Sequence, residues 1–117
     1  MVLVNRLRSS GDIRQTVAQR CAAGGKSVVV HARLRGDEGP PRVAVVAGRR
    51  VGSAVARNRA KRRLRAALRQ TDLPAGTDLV LSAKAGADVV AYPLLSDDVR
   101  RSVRRATQRA HRQPMTA

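Results

Sequence analysis

The residues of this sequence that could do chemistry are concentrated in residues 49–69, which read RRVGSAVARNRAKRRLRAALR. This segment carries nine arginine and lysine side chains and no acidic residue. Both side chains donate charged hydrogen bonds to phosphate oxygens, and arginine can do so through two parallel bonds. A solvated helix face is the alternative, but such faces usually mix both signs of charge. Because no carboxylate offsets the nine charges, we expect a polyanion to bind here.

A helix over residues 54–69, with Ser53 as its N-cap, is predicted to position these side chains. The segment contains neither Gly nor Pro, and Ala, Leu, Arg and Lys are good helix formers. At about 100° per residue, an apolar arc forms, and a cationic stripe lies directly beside it. The apolar arc is Ala56, Ala60, Leu64, Ala67 and Leu68; the stripe is Asn58, Lys61, Arg62, Arg65 and Arg69, with Arg57 at its border and Arg59 and Arg63 on the far side.

The order of residues in this segment resembles the signature of the bacterial ribonuclease P protein subunit. In that family a basic pair and Val-Gly or Ile-Gly precede the pattern A-V-x-R-N-R-x-K-R-x-x-R. The matching positions are Arg49, Arg50, Val51, Gly52, Ala54, Val55, Arg57, Asn58, Arg59, Lys61, Arg62 and Arg65. The resemblance extends more loosely from Asn5 to the C-terminal helix, so it covers nearly the whole chain.

The resemblance implies an accessory RNA-binding subunit rather than a protein that carries the catalytic groups. In the family a catalytic RNA hydrolyses precursor tRNA with Mg²⁺ and releases the 5′ leader, so we expect no catalytic residue and no certain metal site on the protein. We also expect a monomer in a 1:1 ribonucleoprotein. The RNA-binding residues that the resemblance implies are Arg50, Arg57, Asn58, Arg59, Lys61, Arg62 and Arg65. For Asn58, which adds no charge, a local capping role is the alternative to an RNA contact.

The resemblance also implies a cleft between the first helix and the sheet that binds the single-stranded leader. The aligned cleft positions are Ile13, Val17 and His31, with Arg57, Lys61 and Arg65 beside them. The family has aromatic residues in this cleft, and stacking on them is worth about 1–3 kcal/mol per base. Aliphatic side chains cannot stack in this way, so we expect leader contact to depend on the basic residues. His31 alone keeps a ring, and a purely structural role on its strand is the alternative.

Length, charge and cysteine content restrict the class of protein. The chain of 117 residues is predicted to form one domain with an aliphatic core, since it has no Phe or Trp and only Tyr92. A net charge of +16 points to nucleic acid, and 21 arginines against three lysines favour RNA. The lone Cys21 excludes an internal disulfide. Because no apolar run suits a signal peptide or a membrane span, we expect a cytoplasmic protein with no membrane partner.

The predicted order of elements is α-β-β-α-β-α, an α+β fold in a single domain over residues 1–117. Residues 1–9 are predicted to be an irregular basic arm, and residues 113–117 a loose tail. The first helix is predicted from Ser9 or Ser10 to about Ala22, and strands are predicted at 26–35, 42–48 and 78–84. The apolar face of the first helix is predicted to be Ile13, Val17, Ala18 and Cys21, and Gly24 and Gly25 are predicted to end that helix.

The last helix is predicted to begin with Ser96 as its cap and with Asp97 and Asp98 in its first turn. Its buried side is predicted to be Val99, Val103, Ala106 and Ala110. The two strands that flank the basic helix are expected to be parallel neighbours. General chirality predicts a right-handed crossover, whereas the resemblance implies the left-handed βαβ crossover of the ribosomal protein S5 domain 2-like fold, which we follow.

A secondary basic face is expected from Arg6 and Arg8 of the arm together with Arg100 and Arg104 of the last helix. For the arginines of the last helix, a solvated face fits equally well. The eight acidic residues show no convergent carboxylates of the kind that two-metal nucleases need. The competing functions are a ribosomal protein or RNA chaperone, a DNA-compacting protein and a stand-alone nuclease. The Arg-Asn-Arg sequence at residues 57–59, between Val-Gly and Lys-Arg-x-x-Arg, favours the ribonuclease P subunit.

Overall fold

The computed structural model describes residues 5–19 and 21–112, which form one mixed sheet and three helices. The elements in chain order are β1 (Asn5–Arg6), α1 (Ser10–Ala18), β2 (Ala22–Gly24), β3 (Val28–Leu34), β4 (Arg42–Ala47), a 3-10 turn (Arg49–Val51), α2 (Ala54–Arg69), β5 (Thr77–Ala83) and α3 (Tyr92–Arg112). The strand order is β1-β4-β5-β3-β2. The predicted α+β class is confirmed. None of the described helices is both long and apolar enough to cross a membrane.

Helix α2 connects two strands that lie side by side in the centre of the sheet. Strands β4 and β5 pair in parallel, from Arg42 opposite Asp78 to Ala47 opposite Ala83. Strand β3 then pairs antiparallel with β5, and β2 with β3. The parallel pairing of the two strands that flank the basic helix is therefore confirmed.

The main core lies between the sheet and the helices α2 and α3. Because side chains alternate along a strand, Val30 and Leu81 point into this core, together with Leu64 of α2 and Val99 of α3. Each such aliphatic side chain contributes roughly 1.5–3 kcal/mol on burial. A smaller cluster on the opposite face joins Leu7, Ala44 and Val80 to Ile13 of α1. Helix α1 therefore covers one face of the sheet, and α2 and α3 cover the other.

Helix α2 begins and ends at the predicted residues. The Ser53 hydroxyl accepts a hydrogen bond from the Ala56 amide at 3.2 Å, as an N-cap does. Gly52, which precedes the cap, has a φ of +134°, a conformation that side chains other than glycine rarely adopt. The predicted apolar arc is buried at Ala60, Leu64, Ala67 and Leu68, and Ala56 is half-buried against the core.

The first helix is shorter than predicted. It ends at Ala18, and Ala22–Gly24 form strand β2 instead of continuing the helix. Alanine favours a helix locally, but pairing with β3 overrides that preference. The predicted apolar face is also wrong in part, because Val17 and Ala18 are exposed and Cys21 is buried outside the helix. The buried residue of α1 is Thr16, whose hydroxyl donates to the Asp12 carbonyl at 2.8 Å.

The predicted irregular arm is partly ordered. Asn5 and Arg6 pair in parallel with β4, and the Leu7 amide donates to the Val43 carbonyl at 2.9 Å. Leu7 itself is buried in the smaller cluster. The remaining part of the predicted arm that precedes Asn5 and the predicted tail of residues 113–117 lie outside the described residues.

The last helix begins earlier than predicted, at Tyr92, so Ser96 is not its cap and its first turn contains no acid. Pro93 suits this position because the first turn of a helix needs no amide donor there. Asp98 is buried and accepts a hydrogen bond from the Ser27 amide at 2.8 Å. A Cβ on Gly25 would lie 1.5 Å from Asp98 Oδ1, so Gly25 allows this close approach rather than ending a helix. The predicted buried side of Val99, Val103, Ala106 and Ala110 is confirmed.

Candidate nucleic-acid interface

The cationic side chains of α2 fall into two sets with different surroundings. Arg57, Lys61 and Arg65 follow one another at intervals of about one turn, and Arg65 lies at the edge of the sheet. Arg63 lies on the opposite side, toward α3. Its guanidinium donates to the Ala87 carbonyl at 2.7 Å and also to the Val90 carbonyl, so it holds the loop before α3.

A groove of about 430 Å³ runs along the sheet edge between α2, β4, β1 and α1, and we call it the edge groove. Its apolar floor includes Ala44, Val45, Val46 and Leu68, and Ile13 of α1 closes one side. Three arginines form its rim: Arg6, Arg65 and Arg69. None of the residues that line it is acidic. An apolar floor with a cationic rim suits a single-stranded nucleic acid, whose phosphates can contact the rim while its bases lie on the floor.

The structure brings together only some of the residues predicted for the leader cleft. Ile13 and Arg65 line the same edge groove, whereas Lys61 and Arg57, about one and two turns earlier on α2, are not among its lining residues. Val17 is exposed on α1 and His31 lies on β3, and neither lines the groove. The contributions of β1 and β4, including Arg6 and Val46, were not predicted for the cleft. The two-residue pairing of β1 leaves no local sequence signal from which they could have been placed there.

His31 lies on the face of the sheet that α1 covers, because its neighbours Val30 and Ala32 point into the core on the other face. Burial lowers the pKa of the His31 imidazole. Its Nδ1 atom is buried and has no hydrogen-bond partner among the described residues. A neutral ring at this place adds no charge for a phosphate, so any contact with a ligand must come through its faces or edges.

The remaining predicted RNA-binding residues of α2 point away from the core. Asn58, Arg59 and Arg62 are exposed, and Lys61 is half-buried. In the part of the chain that the structure describes, these four side chains make no hydrogen bond or ion pair. Asn58 is not an N-cap, because it lies in the second turn and Ser53 fills the cap position. Arg50 is exposed on the 3-10 turn directly before α2.

The one fully buried carboxylate among the described residues, Asp78, is the centre of an ion cluster with arginines. Its oxygens accept hydrogen bonds from Arg33 at 2.7 Å, from Arg35 at 2.8 Å and from Arg42 at 2.7 Å. Burial alone would raise the pKa of Asp78, but the hydrogen bonds from Arg42, Arg35 and Arg33 outweigh it and hold the pKa below its ordinary value. Asp12 lies 3.5 Å from both Arg33 and Arg42. These carboxylates are therefore engaged in holding the sheet together.

Within residues 5–19 and 21–112, no three or more His, Cys, Asp or Glu side chains are grouped so that they could hold a metal ion. Asp37 pairs with Arg35 at 2.9 Å, and Asp97 pairs with Arg100. Asp12 and Asp78 share Arg33 and Arg42 as partners, so the carboxylates that come nearest to each other are both engaged by arginines.

A second groove, of about 680 Å³, lies between α3 and the loop of residues 70–74, and we call it the α3 groove. One wall carries Arg100, Arg104 and Arg112, and the other carries Asp72 and Leu73. The predicted secondary basic face is therefore divided. Arg100 and Arg104 line the α3 groove and Arg6 lines the edge groove, whereas Arg8 is exposed and lines neither.

A family model described as "Ribonuclease P" matches residues 2–107. The ribonuclease P protein component of Kocuria rhizophila is 37% identical over 107 residues, covering 90% of this chain and 94% of the relative. That of Beutenbergia cavernae is 44% identical over 81 residues, covering 68% of each chain.

Two solved structures share the fold described above. The RNase P protein of Staphylococcus aureus superposes with a TM-score of 0.72 at 17% identity, covering 85% of this chain and 92% of that one. The RNase P protein of Thermotoga maritima gives a TM-score of 0.69 at 23% identity, covering 83% of this chain and 96% of that one. The fold class expected from the sequence is therefore confirmed over the 83–85% of the chain that these structures cover.

Proposed function

The chain belongs to the ribonuclease P protein family, and from that premise we propose that it binds the catalytic RNA of ribonuclease P and the 5′ leader of precursor tRNA. Membership of the family implies a role in tRNA processing as part of a ribonucleoprotein. More specifically, we infer that this protein assists the Mg²⁺-dependent removal of the leader, which leaves the mature tRNA 5′ end. It would act in the cytoplasm, as one protein subunit with one RNA.

The observation that carries this proposal is the edge groove. It combines an apolar floor with arginines on its rim, and no acid lines it. A single strand can lay its bases along Val45 and Val46 while its phosphates approach Arg65 and Arg69. We assign this groove to the leader, and assign Arg57 and Lys61 to the continuation of the same rim.

The exposed side of α2 supports a second contact, with the catalytic RNA. Asn58, Arg59 and Arg62 point outward and make no intramolecular bond within the described residues. Arginines in this state can neutralise phosphates at little cost, because no internal partner must be given up. Arg50 at the start of the helix extends this side. The protein would thus screen the repulsion between two RNA molecules that must come together.

We assign the hydrolysis to the RNA subunit and to Mg²⁺ bound mainly by that RNA. Three arginines engage the carboxylate of Asp78, Asp12 contacts two of the same arginines, and no group of three or more possible metal ligands occurs among the described residues. The part of this protein would be to hold the substrate and to favour precursor over mature tRNA. No step of the chemistry is assigned to a side chain of the protein.

The test is cleavage of a 5′-extended precursor tRNA at low Mg²⁺, with the cognate RNA subunit alone, with the protein alone, and with both together. We expect the protein to stimulate cleavage only in the presence of the RNA subunit. The variant Lys61→Ala/Arg65→Ala should lose most of the stimulation, whereas Arg101→Ala/Arg105→Ala, which removes the same charge from the exposed side of α3, should keep it. Absence of stimulation together with tight binding to unrelated structured RNAs would contradict the proposal.

A further inference from the structure

Two of the three arginines of the α3 groove have no ionic or hydrogen-bond partner in the described part of the molecule. Arg104 and Arg112 make no hydrogen bond or ion pair with any described residue, and both are exposed. Arg100 pairs with the exposed Asp97 at the start of the same row. Arg104 and Arg112 are eight residues apart, which places them about 12 Å apart along the helix axis. A row of arginines spaced along one wall suits successive phosphates of an extended strand.

The polar groups on both walls of the α3 groove suit RNA more than an acidic peptide. Gln70 and Gln108 offer amide donors and acceptors, and the hydroxyl oxygens of Thr71 and Thr107 lie in the same groove. Such groups can bond ribose hydroxyls and base edges. A volume of about 680 Å³ is that of a small-ligand pocket and offers room for a few nucleotides of a single strand.

The α3 groove adjoins the edge groove. Leu73 lines both grooves, with only 7% of its surface exposed, and it forms the wall between them. The edge groove reaches this wall through Leu68 and Arg69, and the α3 groove begins on its other side at Gln70. The end of α2 is therefore a ridge with a basic groove on each side.

We propose that the α3 groove binds the distal, single-stranded part of the 5′ leader, after the strand has left the edge groove and crossed the ridge at Leu73. This inference rests on the function proposed above, because it needs the leader in the edge groove. Asp72 lies on the wall opposite the arginines and opposes a phosphate there. The groove lining nevertheless keeps a net positive charge, with three arginines against one aspartate.

The experiment measures binding of precursor tRNAs with leaders of increasing length to the assembled ribonucleoprotein. The wild-type protein should bind long leaders more tightly than short ones. Arg104→Ala/Arg112→Ala should lose this gain, weakening long-leader binding about tenfold with no change for short leaders. For the long leader alone, the slope of log affinity against log salt should fall by about 1.4, or about 0.7 for each phosphate that the variant no longer neutralises.

Two further variants make the test specific. Arg101→Ala/Arg105→Ala removes the same charge from α3 outside the groove lining and should leave the length dependence intact. Asp72→Asn removes the opposing charge and should tighten binding of long leaders only. Thermal unfolding followed by circular dichroism confirms that each variant is folded, which is expected because the replaced side chains are exposed.

Equal weakening of short and long leaders by Arg104→Ala/Arg112→Ala would overturn the proposal, since it would place a different RNA segment in the groove. An equal effect of the control pair would overturn it as well, by showing a diffuse charge effect. If the wild-type protein stimulates cleavage normally but shows no gain with leader length, only this inference fails. If it stimulates no precursor at all, the function proposed above fails too.

Discussion

Replacing Asp78 by Asn removes the negative charge that three arginines share while keeping the shape of the side chain. The carboxylate is fully buried, and it joins β3, β4 and β5 through Arg33, Arg35 and Arg42. An amide NH₂ group in that place turns a donor toward guanidinium donors. Removal of one partner from a buried ion pair costs about 3–5 kcal/mol. Because the arginines are 12–31% exposed and can partly reach water, we expect a loss near the lower end, about 3 kcal/mol.

Urea unfolding followed by far-UV circular dichroism measures this loss. With a slope of about 2 kcal/mol per molar urea, the midpoint of Asp78→Asn should fall by roughly 1.5 M. Asp97→Asn, which breaks the exposed pair with Arg100, should lower the urea midpoint by only a few tenths of 1 M, because surface ion pairs contribute little to stability. A change below about 0.5 kcal/mol in Asp78→Asn would refute the reasoning, because surface substitutions alone reach that size.

The pH dependence gives an independent check on the same cluster. The pKa of Asp78 is lowered in the folded protein, so its stabilising effect is present above the pKa that an aspartate has in the unfolded chain, about 4. That effect is lost as the pH falls through the lower, folded-state pKa. The difference in unfolding free energy between wild type and Asp78→Asn should therefore be constant near neutral pH and shrink below about pH 4. A difference that persists undiminished in acid would contradict an ionic cause.

Three further predictions concern α2 and the edge groove. In the triple variant Arg57→Ala/Lys61→Ala/Arg65→Ala, the slope of log affinity for RNA against log salt should fall by about 0.7–0.9 for each phosphate left without its cation. An unchanged slope in filter-binding titrations would show that these three side chains do not contact phosphate. Arg63→Ala should cost about 1–3 kcal/mol of stability, since two carbonyls lose a charged donor. The salt dependence of RNA binding should stay as in wild type. A variant that is as stable as wild type but has a weaker salt dependence would show that Arg63 contacts RNA and does not hold the loop. Ile13→Phe should add a stacking surface and tighten precursor binding by up to about 1–3 kcal/mol without affecting mature tRNA; equal changes for both RNAs in competition assays would contradict a leader contact.

The sequence was sufficient where the signals were local. Helix α2 has its predicted bounds because Ser53 caps its first turn and its apolar and cationic residues keep a helical spacing. Strands β4 and β5 were found within one residue at each end, since each is a short, mainly aliphatic run beside polar or glycine-containing segments. The spacing of Arg57, Lys61 and Arg65 along α2 follows directly from that helix.

What could not be predicted depends on residues that are distant along the chain. Strand β2 exists only through its pairing with β3, because its own sequence favours a helix. The role of Asp78 depends on register, which sets Arg33 and Arg42 directly opposite it on the two neighbouring strands. Arg63 contacts a loop more than twenty residues away. The available sequence signal for the ion cluster was Asp78, an acidic residue near the start of a predicted strand in a very basic chain. The spacing of apolar residues does not show which arginines would surround it.

Within the described residues, β1 gives the edge groove a short wall that is attached to β4 by two register pairs and by the hydrogen bond from the Leu7 amide. Short edge elements with few hydrogen bonds open locally at a small fraction of the free energy of global unfolding. Each opening would remove that wall and uncover the backbone edge of β4, which is a template for pairing with another polypeptide chain. A single-stranded RNA bound in the edge groove would hold β1 in place. Occupancy by RNA would therefore also protect the protein from aggregation, and the RNA-free form would be the one at risk.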